Sequence, residues 1–219
     1  MYNKKICVVG AGYWGKNHIR TFHELGTLGG IVEFNTKVLD SFAQKYPYAK
    51  TYIKVEDALA NDDYKGFTVA TPAETHFDIT KKILKAQKHV LVEKPFTLQI
   101  DHAEELVMLA ENNNVNLMVG HVLLFHPVIR KIKEFIETGK IGKLQYIYSN
   151  RLNFGQVRTQ ENVFWSLAPH DISIFQYFTD SFPEKISTSG STFLQKGIHD
   201  STITQLKYVL AVAEHQNFT

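Results

Sequence analysis

Through its first half the chain alternates short apolar runs with longer stretches in which apolar residues recur every three or four positions. That rhythm is the signature of βαβ units wound on a parallel sheet. Residues 6–10, 31–34, 66–71, 89–92 and 115–119 read as strands, and residues 14–25, 37–45, 75–86 and 100–112 as helices. The second helix should stop before Pro47, because a residue ahead of proline disfavours helical backbone. Phe77, Ile79, Ile83 and Leu84 give the third helix an apolar face. After His121 the texture changes. A helix over 127–137 is followed by Gly139 and Gly142, and then by a strand over 144–148. A helix over 169–177 should begin with Pro169 at a permitted first-turn position, ahead of strands over 185–193 and 201–206. The pattern predicts an α/β chain with a doubly wound parallel sheet over 1–121, then an incomplete α+β domain with an open sheet over 122–219.

Composition narrows the function classes. With 219 residues, 44% hydrophobic and 21% charged, the chain can build a core and is no candidate for disorder. Scattered basic residues and a net charge of +2 give no reason to expect nucleic acid or an anionic membrane as the main partner. No apolar stretch approaches the ~18 residues of a membrane span. Cys7 is the single cysteine, so an internal disulfide and a thiolate zinc cluster are excluded, no metal site is expected, and a reducing, cytoplasmic compartment fits. Within Ile6-Cys7-Val8-Val9 it reads as a buried structural thiol.

The turn Gly10-Ala11-Gly12-Tyr13-Trp14-Gly15 follows the first strand and opens the first helix. In that context Gly10 can make the tight turn, Gly12 can let a pyrophosphate approach the backbone, and Gly15 can let helix and strand pack closely. The helix N-terminus adds free N–H groups and a positive dipole end. These are the marks of a Rossmann-type dinucleotide site, with Tyr13 and Trp14 inside its turn. A glycine-rich turn without ligand is the plainer alternative. An acidic residue belongs about twenty positions on, and Glu33 is there. Its carboxylate can accept ribose hydroxyls and would repel a 2′-phosphate, which favours NAD over NADP, although Lys37 is near in sequence and Glu33 could simply be solvated. Thr71-Pro72 ends another strand at the same sheet edge, where it can shape the nicotinamide side or be a plain turn.

Glu93-Lys94-Pro95 ends the strand at 89–92, beside the crevice where doubly wound folds bind ligands. A lysine there can relay a proton to or from a hydroxyl group. Taken in order, Val8 to Gly15, Ala70-Thr71-Pro72 with His76, Glu93-Lys94-Pro95, and Val119-Gly120-His121 before Phe125-His126-Pro127 resemble the Gfo/Idh/MocA oxidoreductases, named for glucose-fructose oxidoreductase and inositol dehydrogenase. The resemblance implies a catalytic Lys94, a Pro95 that turns it toward substrate, and cofactor contacts from Thr71, Pro72, His76 and Glu93. His76 and His121 are possible pocket residues, with a structural role open for each.

A second family motif pairs an aspartate with a histidine four residues later on a helix lining the substrate pocket. His170 matches the histidine, and Ser166 stands in the aspartate's place. An imidazole there can act as base or substrate partner, and an early helix position would help keep it neutral. Whether Lys94, His170 or both move the proton stays open. The run Arg151-Leu152-Asn153-Phe154-Gly155 with Arg158 looks like the branch that oxidises nucleotide-linked amino sugars at C3. Arg151 or Arg158 would then grip a diphosphate, unless they are ordinary exposed arginines, and Asn153 would join them. Family members continue for another hundred or so residues, so the second domain reads as truncated, with edges that association, such as a homo-oligomer, would cover. Residues 205–219 carry a helix-like period similar to the opening of LysR-type regulators, for which chance, a joined reading frame and a genuine terminal helix are all open. Two functions compete: an NAD-dependent sugar or nucleotide-sugar dehydrogenase, and a dinucleotide-binding protein without catalysis.

Overall fold

The computed structural model describes residues 5–152 and 162–208. The chain divides into two compact units, Met1–Gly120 and His121–Thr219.

Unit 1 is built on six strands: β1 (Ile6–Val9), β2 (Leu28–Val32), β3 (Lys50–Tyr52), β4 (Gly66–Val69), β5 (His89–Val92) and β6 (Leu117–Val119). They run parallel in the order β3-β2-β1-β4-β5-β6. The strand order reverses between β1 and β4, which is where this topology opens a crevice at the carboxyl edge. Five helices connect the strands: α1 (Gly15–Glu24), α2 (Thr36–Lys45), α3 (Val55–Leu59), α4 (His76–Lys85) and α5 (Ile100–Asn112). Neighbouring residues of β1 alternate between the two layers. Val8 joins Ile19, Leu28, Ile31 and Leu39 on one side. Cys7 and Val9 join Phe67, Ile83, Leu84, Val92 and Leu106 on the other. Burial on both faces explains the unbroken apolar runs, and it pushes the Cys7 thiol well above its ordinary pKa, so it stays protonated and structural.

Two differences from the sequence reading have local causes. β2 starts at Leu28, three residues before the strand expected at 31–34, because Gly29 and Gly30 are strand rather than turn. The Tyr64 hydroxyl donates to Gly29 O at 3.1 Å, and a Cβ on Gly30 would lie 2.5 Å from that hydroxyl, so the missing Gly30 side chain makes room for a buried phenol. β3 and α3 were not expected at all. With three and five residues they are too short to show a period.

Unit 2 contains α6 (Pro127–Glu137), α7 (Val163–Thr179) and an antiparallel pair, β7 (Lys185–Ser191) with β8 (Ser201–Lys207), registered from Lys185 opposite Lys207 to Ser191 opposite Ser201. Lys133 of α6 is buried and pairs with Asp180, the left-handed C-cap of α7, and with Glu137. The expected strand at 144–148 is absent, and Tyr146 and Tyr148 are exposed. A strand needs a partner to satisfy its backbone, and among the described residues none pairs there. Pro169 does not start a helix. It lies inside α7, whose N-cap is Asn162 with its side-chain oxygen accepting from Trp165 N. The helix-like tail was expected from 205, but β8 runs through Lys207, and residues 209–219 lie outside the described ones. No helix among the described residues is long and apolar enough to cross a membrane.

Candidate functional site

The glycine turn leaves β1 at Gly10, whose φ of +91° and close approach to Ala70 both require glycine: a Cβ would stand 2.8 Å from Ala70 O. A Cβ on Gly15 would meet Gly10 O at 2.0 Å, so α1 starts directly against the strand end. Gly12 is the opposite case. Among the described residues nothing lies within 4 Å of its Cβ position, so the turn presents bare backbone there. Among the described residues no side chain caps the start of α1, and its first turn holds no acidic residue. These are the conditions under which a helix N-terminus accepts phosphate. Tyr13 and Trp14 are both exposed on the turn.

Glu33 follows β2 and closes the turn from beside it. Ala11 N–H donates to Oε2 at 2.8 Å, and Asn35 N–H donates to Oε1 at 2.9 Å. The carboxylate is thereby fixed at the rim, and each oxygen keeps a second lone pair for a hydroxyl group. On the far side of the crevice, Thr71 and Pro72 follow β4. The Thr71 hydroxyl accepts from Thr75 Oγ1 at 2.7 Å.

His76 departs from the expected cofactor contact. It is buried, with Nδ1 2.8 Å from Pro95 O and Nε2 2.9 Å from Thr71 O. Both nitrogens face backbone carbonyl oxygens, one of them as donor in the neutral ring, so the ring bridges the turns after β4 and β5. Glu93 also turns inward. Trp14 Nε1 and His18 Nε2 both donate to its Oε1, at 2.6 and 2.7 Å, and Lys94 N–H lies 3.3 Å from Oε2. Gly120, after β6, makes room for it, since a Cβ there would come within 3.1 Å of the same carboxylate. Burial opposes ionisation of Glu93, but the His18 and Trp14 hydrogen bonds and the Lys94 amide outweigh it and hold the group below the usual carboxylate range. Lys94 itself is half-buried and precedes a cis peptide bond to Pro95. Because β5 neighbours β4, and β4 neighbours β1, one sheet edge brings together the glycine turn, Thr71 and Lys94. A dinucleotide fits this donor set, with backbone for phosphate, a carboxylate for ribose and an amine at the far end.

Unit 2 carries the remaining expected groups. His121 precedes a short 3-10 turn, Val122–Phe125. With Leu124, Ser173, Gln176 and Tyr177 it lines a groove of about 470 Å³. His170 lies mid-way along α7, so the dipole argument for an early helix position does not apply. Ser166, in the aspartate's place, is buried. Arg151 belongs to no strand, and its Nε donates to Asp171 Oδ2 at 2.6 Å, while Ser149 donates to Oδ1. Asn153 and Arg158 lie outside the described residues. The sequence reading missed His18 and Asp171. His18 had a signal, standing one helical turn after Trp14 and hence on the same face. Asp171 had none apart from adjacency to His170.

Comparison with known proteins decides the family. The family described as "Oxidoreductase family, NAD-binding Rossmann fold" matches residues 4–121, and the "GFO/IDH/MocA C-terminal domain" matches residues 129–216. The chain belongs to the Gfo/Idh/MocA oxidoreductases. It is 26% identical over 191 residues to the UDP-N-acetylglucosamine 3-dehydrogenase of Acidithiobacillus ferrooxidans, covering 87% of this chain and 59% of that protein. It is 24% identical over 183 residues to the inositol 2-dehydrogenase of Corynebacterium glutamicum, covering 81% and 54%. The fold matches the WlbA dehydrogenase of Bordetella pertussis, solved with NADH and UDP-GlcNAcA, at a TM-score of 0.78 and 19% identity, covering 93% of this chain and 66% of that one. The chain thus spans under two thirds of the length of the curated relatives named here.

Proposed function

We propose that this chain carries the cofactor site and the catalytic lysine of an NAD-dependent dehydrogenase that oxidises a secondary alcohol of a sugar, with a UDP-linked N-acetylated sugar oxidised at C3 as the leading substrate. The observation that carries the reading is Lys94, half-buried at the carboxyl end of β5 on the sheet edge that holds the glycine turn. The bare backbone at Gly12 and the start of α1 would hold the pyrophosphate. Glu33, fixed by Ala11 and Asn35, would accept the adenosine ribose hydroxyls, and NAD is preferred because a 2′-phosphate would meet that carboxylate. When bound, the cofactor supplies the hydride acceptor. The Lys94 amine takes the hydroxyl proton as the alcohol becomes a ketone, and returns it in the reverse direction. Thr71 and Pro72 line the nicotinamide side, while His76 and Glu93 serve from beneath by fixing the turns. His170, His121 and Arg151, with Asn153 and Arg158, are proposed as substrate groups of unit 2. The substrate class rests on the 3-dehydrogenase relative. A homo-oligomer is proposed from the exposed Ile186 and Ile203 of the two-stranded sheet, and a cytoplasmic setting from the buried, reduced Cys7.

A second reading, a dinucleotide-binding protein without catalysis, is favoured by Ser166 in the aspartate's place. One experiment separates the two. NAD is titrated with nucleotide sugars, free sugars and inositols while absorbance of the reduced cofactor is followed. Reduction with a UDP-N-acetylated sugar is expected. Tight NAD binding with no reduction across the panel would replace the first reading with the second.

A further inference from the structure

Three elements meet at one carboxylate. Glu93 ends β5, Trp14 and His18 project from the first turn and a half of α1, and Gly120 closes β6. A carboxylate only accepts hydrogen bonds, so the 2.7 Å contact fixes a proton on His18 Nε2, and the 2.6 Å contact places a second donor, the Trp14 indole, on the same oxygen. His18 is steadied in turn by stacking on Phe22, with ring centroids 6.4 Å apart. The side chains of His18 and Glu93 are 16% and 11% exposed, so solvent competes little for this contact. The second carboxylate oxygen faces the Lys94 amide. A chain of direct contacts therefore runs from the residue that opens α1 to the backbone of Lys94.

We infer that His18 is a positioning residue for Lys94: by gripping Glu93 together with Trp14, it joins the turn that carries the lysine to the turn that carries the glycines, so that the two move as one body. The inference rests on the proposed role of Lys94 and adds a group outside the glycine and Glu93-Lys94-Pro95 motifs. His18 acts through the Glu93 carboxylate, which in turn faces the Lys94 amide. Its effect is on where the Lys94 amine stands. Misplacement of a reacting group by about 1 Å can cost roughly a hundredfold in rate. Looser tethering of the lysine should cost less than that.

The test compares His18→Leu, which removes the donor, with His18→Gln, whose amide nitrogen can reach the same carboxylate oxygen. In the cofactor-free protein, hydrogen exchange of the Lys94 amide and the Trp14 indole is read by NMR. The leucine variant should speed both by roughly tenfold or more, as expected when a hydrogen bond to a charged group is lost, and the glutamine variant should stay within about threefold of the parent. In turnover, the leucine variant should lose about tenfold in kcat with the KM for sugar and the Kd for NAD changed less than about threefold, and glutamine should restore most of the loss. Unchanged exchange in the leucine variant, or glutamine behaving as leucine does, overturns the inference. So does a lower melting temperature with exchange and kcat unmoved. If the leucine variant does not fold, Trp14→Phe removes one donor from the same oxygen and is read at the Lys94 amide in the same way. Absence of turnover in the parent protein would refute the proposed function, and the exchange result would then decide the clamp by itself.

Discussion

In unit 1, β1 has a strand on each side and a helix layer against each face, and three of its four residues are buried. In unit 2, β7 has β8 as its one neighbour among the described residues, and all seven of its residues are exposed. An isolated pair of strands is marginal in water, whereas a six-stranded sheet with two cores is not. The consequence reaches the functional groups. Gly10, Gly15 and Glu33 are held by backbone geometry and by bonds to backbone, so their placement follows from the fold itself, and the Lys94 backbone is tied in addition to the buried Glu93 carboxylate. Arg151 and Asp171 are held by a side-chain ion pair with partial exposure, so their placement follows from two side chains.

Core truncation should separate the two units most strongly. Leu84→Ala, at a fully buried site, should destabilise unit 1 by about 2–5 kcal/mol, whereas Ile203→Ala on β8 should stay within about 0.5 kcal/mol. Urea titrations of both variants check this, and equal effects would break the comparison. Gly15→Ala follows. Its Cβ would press on Gly10 O, costing about 1–3 kcal/mol of stability and removing NAD binding in a titration, because the turn cannot move without leaving β1. Unchanged binding would mean that the turn is softer than its contacts imply.

Acid should act on unit 1 through Glu93. Its folded-state pKa lies below the ordinary carboxylate value, so ionised Glu93 contributes stability that is present above that ordinary value and is lost as pH falls through the depressed one. Melting curves from neutral pH downward should show this loss, and Glu93→Gln should remove that part of the slope. A variant with the parent's acid profile would contradict it. The ion pair of unit 2 should count for little. Arg151→Gln breaks a partly exposed pair with Asp171 and should cost less than about 1 kcal/mol, an amount that thermal melting resolves and added salt reduces further.

Which features could be read from the chain follows the same division. The glycine turn, the buried strands and the lysine at the end of β5 are legible because each depends on neighbours in sequence. Where a feature depends on something distant, the pattern misleads. The strand expected at 31–34 starts instead at Leu28, where Tyr64 fills the space beside Gly30. Pro169 looks like a helix start because the Asn162 cap lies seven positions upstream. Residues 144–148 have strand composition and no strand partner among the described residues. The inward turn of Glu93 needs His18 and Trp14, which stand more than seventy residues away, and no local pattern announces that meeting.

We propose that unit 1 binds the dinucleotide on its glycine turn and moves the substrate proton through Lys94. Lys94→Ala tests it most directly when NAD affinity and turnover are measured on the same sample. NAD binding should stay within about threefold of the parent while turnover falls at least about a hundredfold, the usual worth of a general acid–base group. Turnover equal to the parent's would contradict the claim.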